Sequence, residues 1–136
     1  MEIRLTRVEG MEPVAVLAVI GNVDAAHYQD LIAKAKEAYD GGLRRMVIDL
    51  KGTTYLSSSG LVALHSIALL FRGHEPLDSD QGWASLHAVS SGLGDTPEKN
   101  VKLLDPQPNV AKVLERSGMT AYFEVYTDLQ KAVEAF

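Results

Sequence analysis

Apolar residues recur along this chain with a period that switches between two and three-to-four, and each switch marks a predicted element. Residues 2–8, EIRLTRV, alternate so that Ile3, Leu5 and, at the end, Val8 lie on one side of a half-buried strand. A turn over residues 10–13 leads into PVAVLAVIG, which is apolar on both faces, so residues 14–20 form a central strand paired back on the first. From Asp24 the period lengthens. Tyr28, Leu31, Ile32, Ala35, Ala38 and Tyr39 define an amphipathic helix, with Asp24 placed to cap it and Gly41-Gly42 to end it. RRMVIDL, residues 44–50, is a second buried strand, and strand, helix, strand at this length implies a right-handed crossover with parallel pairing. Residues 51–55 read as a connector. An apolar helix follows over about 59–71, with Leu61, Leu64, Ala68 and Phe71 on one face and Val62, Ile67, Leu69 and Leu70 leaving little polar surface elsewhere. Such a helix is either deeply buried or partly covered by a partner.

Residues 73–100 sustain no period and carry glycines, prolines, aspartates and serines, as an insertion would. VKLL, 101–104, returns to strand. NVAKVLERSGM, 109–119, is a short helix turned inward through Val110, Val113 and Leu114, with Gly118 as its stop. YFEVY, 122–126, gives the last strand. Thr127-Asp128-Leu129-Gln130 has the spacing of a capping box before a final helix burying Leu129, Ala132, Val133 and Phe136. The order β, β, α, β, α, insertion, β, α, β, α defines an α/β domain with a mixed sheet, an antiparallel first pair followed by parallel crossovers, and about four helices.

With 136 residues, 46% of them apolar, the chain suits one domain over 1–136 with the insertion at about 73–100. The longest mostly apolar run, 60–71, is shorter than the roughly 18 to 20 residues of a membrane span. Charges interspersed through MEIRLTRVEG speak against export, so the expected home is cytoplasmic. No cysteine is present, which removes disulfides, thiolate nucleophiles and cysteine-ligated zinc. A formal charge of −5 repels a phosphate backbone, so a protein or small-ligand partner is expected in place of nucleic acid.

The candidate chemistry lies in YLSSSGLVAL, residues 55–64, where three serines and a glycine separate a strand-like segment from the apolar helix. Capping alone accounts for the spacing: a serine oxygen accepts an otherwise unpaired amide of the first turn, and Gly60 lets the corner be tight. Two features add a functional reading. Ligands of open α/β sheets gather at the carboxyl ends of parallel strands. The positive end of the helix would also hold a phosphate of about −1.5 to −2 charge on one of the hydroxyls.

VIDLKGTTYLSSSGLVAL resembles the signature of the STAS domains, the anti-sigma-factor antagonist family: a strand ending in Asp, a spacer with a hydrophobic pair, then Asp-Ser-Ser-Gly-Leu and an apolar helix. VIGNVDAAHYQDL, with Gly21 and Asp24, is similar to the family's strand, Gly, Asp and first helix. VLERSGMTAYFEVYTDLQKAV resembles its closing helix, short strand and C-terminal helix. The resemblance implies a bacterial, non-enzymatic signalling switch that binds an anti-sigma factor that is also a serine kinase, with a phosphatase that resets it and no cofactor. It implies Ser58 as the phospho-acceptor, with Ser57 and Ser59 as alternatives, and Asp24, Ser57, Ser58, Ser59 and Gly60 on the partner surface. Ser57 departs from the family, standing where the signature aspartate is expected. That removes one negative charge beside the acceptor together with any kinase contact the carboxylate would make. The insertion is a second departure.

Three rivals remain. A hydrolase elbow would use a serine on the same corner with Asp78 or Asp80 and His87, but Leu56 stands where G-x-S-x-G needs glycine. A metal site could draw on His74, Asp78, Asp80 and His87, whose spacing matches no ligand pattern, so no metal is expected. A non-switching scaffold, or a module binding a small anion or nucleotide, would use the same helix end. His65 is expected to be a satisfied core or interface side chain, His27 a surface one, and Trp83 a loop anchor or a partner hot spot. The apolar helix is also compatible with a homodimer.

Overall fold

The computed structural model describes residues 1–9, 12–72 and 99–136. The expectations for His74, Asp78, Asp80, Trp83, His87 and the insertion lie outside the described residues.

Among the described residues a six-stranded sheet organises the domain: β1 (Glu2–Val8), β2 (Val14–Val23), β3 (Met46–Asp49), β5 (Val101–Leu104) and β6 (Val125–Tyr126) lie side by side in that order, with β4 (Thr53–Leu56) paired to β2 off that path. β1 (Glu2–Val8) runs antiparallel to β2 (Val14–Val23), with Leu5 opposite Leu17. β3 (Met46–Asp49) lies parallel to β2, and β5 (Val101–Leu104) parallel to β3. β6 (Val125–Tyr126) closes the order beside β5. The expected mixed sheet is therefore present. Its core follows from the two-residue period of β2: Ala15, Leu17 and Val19 point to one side, Val14 and Val16 to the other.

Among the described residues four helices cover the first side. α1 (Tyr28–Asp40) buries Leu31, Ala35 and Ala38, and Tyr39 meets Phe71 of α2 (Ser58–Phe71) edge-on at 5.4 Å. α3 (Pro108–Arg116) buries Val110 and Leu114, and α4 (Met119–Tyr122) buries Met119 and Tyr122. Among the described residues the second side carries only α5 (Leu129–Glu134), which buries Ala132 over Val14, Val16, Val47 and Leu104.

Several details differ from the sequence reading. Val8 packs with Val14 and Val16, on the side opposite Ile3 and Leu5, because an even position on a strand cannot share a face with odd ones. The presumed connector contains β4 (Thr53–Leu56), a strand because β2 runs past Ile20 and offers Gly21–Val23 for parallel pairing. The five-residue last strand shrinks to two, since Tyr122 closes α4, which makes five helices among the described residues. Gly118, with φ +81°, ends α3 as expected. Asp128, not Thr127, caps α5, its carboxylate accepting the Lys131 amide at 3.2 Å, and Leu129 stays 37% exposed. Every residue of α2 from Gly60 to Phe71 is buried within the chain, so the apolar surface that suggested a dimer is spent internally.

Candidate functional site

The serine corner is built where β2 and β4 end together. Val23 stands opposite Leu56 in register, and the Ser57 amide donates to the Val23 carbonyl at 2.9 Å, so Asp24 and Ser57 leave the sheet side by side. Ser57 has extended backbone angles (φ −82°, ψ 175°) and is the N-cap of α2, its hydroxyl oxygen accepting the Gly60 amide at 3.2 Å. Its carbonyl accepts the Leu61 amide at 3.1 Å. Ser58 and Ser59 open the helix, both partly exposed, and neither hydroxyl has a hydrogen-bond partner among the described residues. Capping and free hydroxyls are thus divided among the three serines. No acidic residue lies in the first turn of α2, so nothing within that turn offsets the positive helix end.

Gly60 holds α2 against the sheet. A Cβ there would meet Leu56 Cδ1 at 2.4 Å and Val23 Cγ1 at 3.1 Å. The glycine is needed for close approach, with the hydroxyls of the same turn left at the surface.

Asp24 does not cap α1, which begins four residues later with His27 as N-cap and no side-chain bond there. Its Oδ1 accepts the Ala26 amide at 3.0 Å and meets His27 Nδ1 at 2.7 Å, while its carbonyl accepts the Tyr28 amide at 3.0 Å. The carboxylate therefore closes a turn before the helix. Hydrogen bonding to His27 holds its pKa below the ordinary carboxylate value. His27 is partly exposed, as expected of a surface residue.

Sequence reasoning missed the other side of the corner. Asn109, at the start of α3, donates from Nδ2 to the Thr54 carbonyl at 2.7 Å, and Gln107 Nε2 donates to the Lys51 carbonyl at 2.9 Å. Thr54 Oγ1 donates to Asn22 Oδ1 at 2.6 Å. The Gln107 and Asn109 bonds tie the β4 segment to side chains more than fifty residues away, a pairing for which the sequence carries no local signal. Tyr55, 51% exposed, projects beside them.

His65 departs from expectation in one respect. It is in the core, against the rings of Tyr122 and Phe123 at 5.4 and 6.4 Å, yet its Nδ1 has no partner among the described residues. Burial pushes its pKa down to about 4. Among the described residues no three His, Asp or Glu side chains group as metal ligands, and no helix is long and apolar enough to cross a membrane.

A mixed sheet with helices crowded on one side and a serine-capped corner at its carboxyl edge defines the class of the protein as an α/β domain. The description of the STAS domain matches residues 5–74, and the chain belongs to the STAS domain family. It is 26% identical to a Bordetella bronchiseptica protein provisionally named the anti-sigma factor antagonist BtrV, over 100% of this chain and 95% of that one. Its fold matches the crystal structure of an anti-sigma factor antagonist from Mycobacterium paratuberculosis, with TM-score 0.63, 20% identity, and 98% and 93% of the two chains covered. The anti-sigma factor antagonist SpoIIAA in its unphosphorylated form matches with TM-score 0.60 and 19% identity, over 98% of this chain and 94% of that one. The Bacillus cell fate determinant SpoIIAA in its phosphorylated form matches with TM-score 0.52 and 17% identity, over 96% and 97%.

Proposed function

We propose that this chain is a cytoplasmic anti-sigma factor antagonist, a non-enzymatic switch that binds an anti-sigma factor with serine kinase activity and is gated by phosphorylation of Ser58. The observation that carries this reading is the division of labour at the corner: Ser57 caps α2, and Ser58 opens the helix partly exposed with no hydrogen-bond partner among the described residues. Ser57 is the poorer acceptor, because esterifying its oxygen would disturb the bond to the Gly60 amide. Ser59 keeps a free hydroxyl one residue further into the helix. The existence of SpoIIAA in unphosphorylated and phosphorylated forms on the same fold supports a gate of this kind.

In the proposed step the Ser58 oxygen attacks the γ-phosphorus of ATP on the partner, the bond to ADP breaks, and the hydroxyl proton passes to the kinase's base or to solvent. A phosphatase reverses the state by hydrolysis. The neutral serine surface docks; the dianionic one is expelled, since docking would bury a charge with no counter-charge.

The test incubates the full chain with its anti-sigma factor kinase and ATP and maps the product by mass spectrometry. Label on Ser58, lost in Ser58→Ala, is the expected result. Binding measured by calorimetry should be retained in Ser58→Ala and weakened at least tenfold in Ser58→Asp. Label confined to residues outside 57–59, or equal affinity of the two variants, overturns the reading.

A further inference from the structure

The two sides of the sheet are closed by different means. Among the described residues four helices pack the first side, whereas the second is covered by α5, a single six-residue helix of which only Ala132 is fully buried. A helix of that length has no stability of its own in water and persists only through its contacts. Those contacts are apolar along the helix, where Ala132 and Val133 pack on Val14, Val16, Val47 and Leu104, and involve charge where Phe136 follows it. The Phe136 ring lies under two cations, Lys102 Nζ at 4.9 Å and the Arg45 guanidinium at 5.7 Å from its centroid. Lys102 is 3% exposed and is held by the half-exposed carboxylate of Glu124, which also accepts the Tyr126 hydroxyl at 2.9 Å. Beneath this arrangement run Val14, Val16 and Val47, none more than 6% exposed.

We propose that α5 with Phe136 is a releasable strap, opening as a unit while the rest of the domain stays folded and uncovering the apolar strip on β2 and β3. Local opening units are drawn from segments with few buried apolar contacts, and α5 has fewer than the helices of the opposite side. Release needs nothing from Ser58, which lies at the carboxyl edge of the sheet.

The chain contains no cysteine, so a single thiol can report on one place. Val47 and Val19 are both 0% exposed, lie on adjoining strands and point to opposite sides of the sheet. Thiol labelling of the full chain carrying Val47→Cys should be at least tenfold faster than with Val19→Cys, after each rate is referred to that variant's own global stability. It should be insensitive to urea below the unfolding transition. Adding Phe136→Leu, which keeps apolar bulk and removes the cation contacts, should speed Val47→Cys labelling about tenfold further and leave Val19→Cys unchanged. Equal rates with the same urea dependence at both positions overturn the proposal. Should Phe136→Leu lower global stability, the urea dependence in the Val47→Cys protein alone decides.

Discussion

The hydroxyl oxygen of Ser57 accepts the amide of Gly60 at 3.2 Å, closing the first turn of α2 from outside the helix. This bond separates two roles that three adjacent serines could otherwise share. Ser57→Ala should cost about 1 kcal/mol of unfolding free energy, while Ser57→Asp, which also caps, should cost little. Ser58→Ala should change stability by less than about 0.5 kcal/mol, because its hydroxyl makes no bond among the described residues. Urea titrations of the three variants check this; an equal loss in Ser57→Ala and Ser58→Ala would contradict the assignment of the cap.

Gly60→Ala places a methyl 2.4 Å from Leu56 Cδ1. Relieving such an overlap should cost roughly 1 to 3 kcal/mol. Because the severest overlap is with the Leu56 side chain, Leu56→Ala together with Gly60→Ala should be less destabilised than the sum of the single changes. A double-mutant cycle by denaturant titration measures the coupling, and strict additivity would show that α2 is held off the sheet by something else.

His65 makes stability depend on pH. Its folded pKa, about 4, lies below the ordinary histidine value near 6.5, so the unfolded chain takes up the proton first as pH falls. The stabilising effect of a neutral imidazole is complete above about 6.5 and is lost as pH drops through 4, amounting to about 3 kcal/mol by then. His65→Phe should flatten the wild-type stability curve between pH 6.5 and 4. Parallel curves for the two proteins would mean the imidazole finds a partner.

Lys102 and Glu124 should respond unequally to replacement. Glu124→Gln leaves a lysine that is 3% exposed without its counter-charge and should cost roughly 3 kcal/mol, toward the low end for a buried pair because Glu124 is half exposed. Lys102→Met fills the same space without a charge and should be near neutral. The pair holds the Glu124 pKa below its ordinary value, so its contribution is present above that value and fades as pH falls through the folded pKa. Equal losses in both variants, measured at pH 7, would count against this asymmetry.

Much of the corner was legible in the residues alone. The apolar run that begins after the serines marks the helix, and Gly60 is the residue that a tight contact requires. Which serine caps was left open, because that depends on where β4 stops, and β4 stops where Val23 on another strand accepts the Ser57 amide.

The sequence by itself determined the strand and helix periods, the antiparallel opening pair and the parallel crossovers, since these follow from how successive side chains project from a chain of known pitch. Only the tertiary structure decided that Thr53–Leu56 is a strand, that Val8 faces away from Ile3 and Leu5, that α1 begins at Tyr28, and that Asp128 takes the cap expected of Thr127. It alone shows that the His65 Nδ1 is left unpaired among the described residues and that Lys102 is buried against Phe136. Periodicity is a property of neighbours along the chain. Solvation and hydrogen-bond partnership belong to residues that meet only after folding, and nothing within a few positions of His65 or Lys102 records who those partners are.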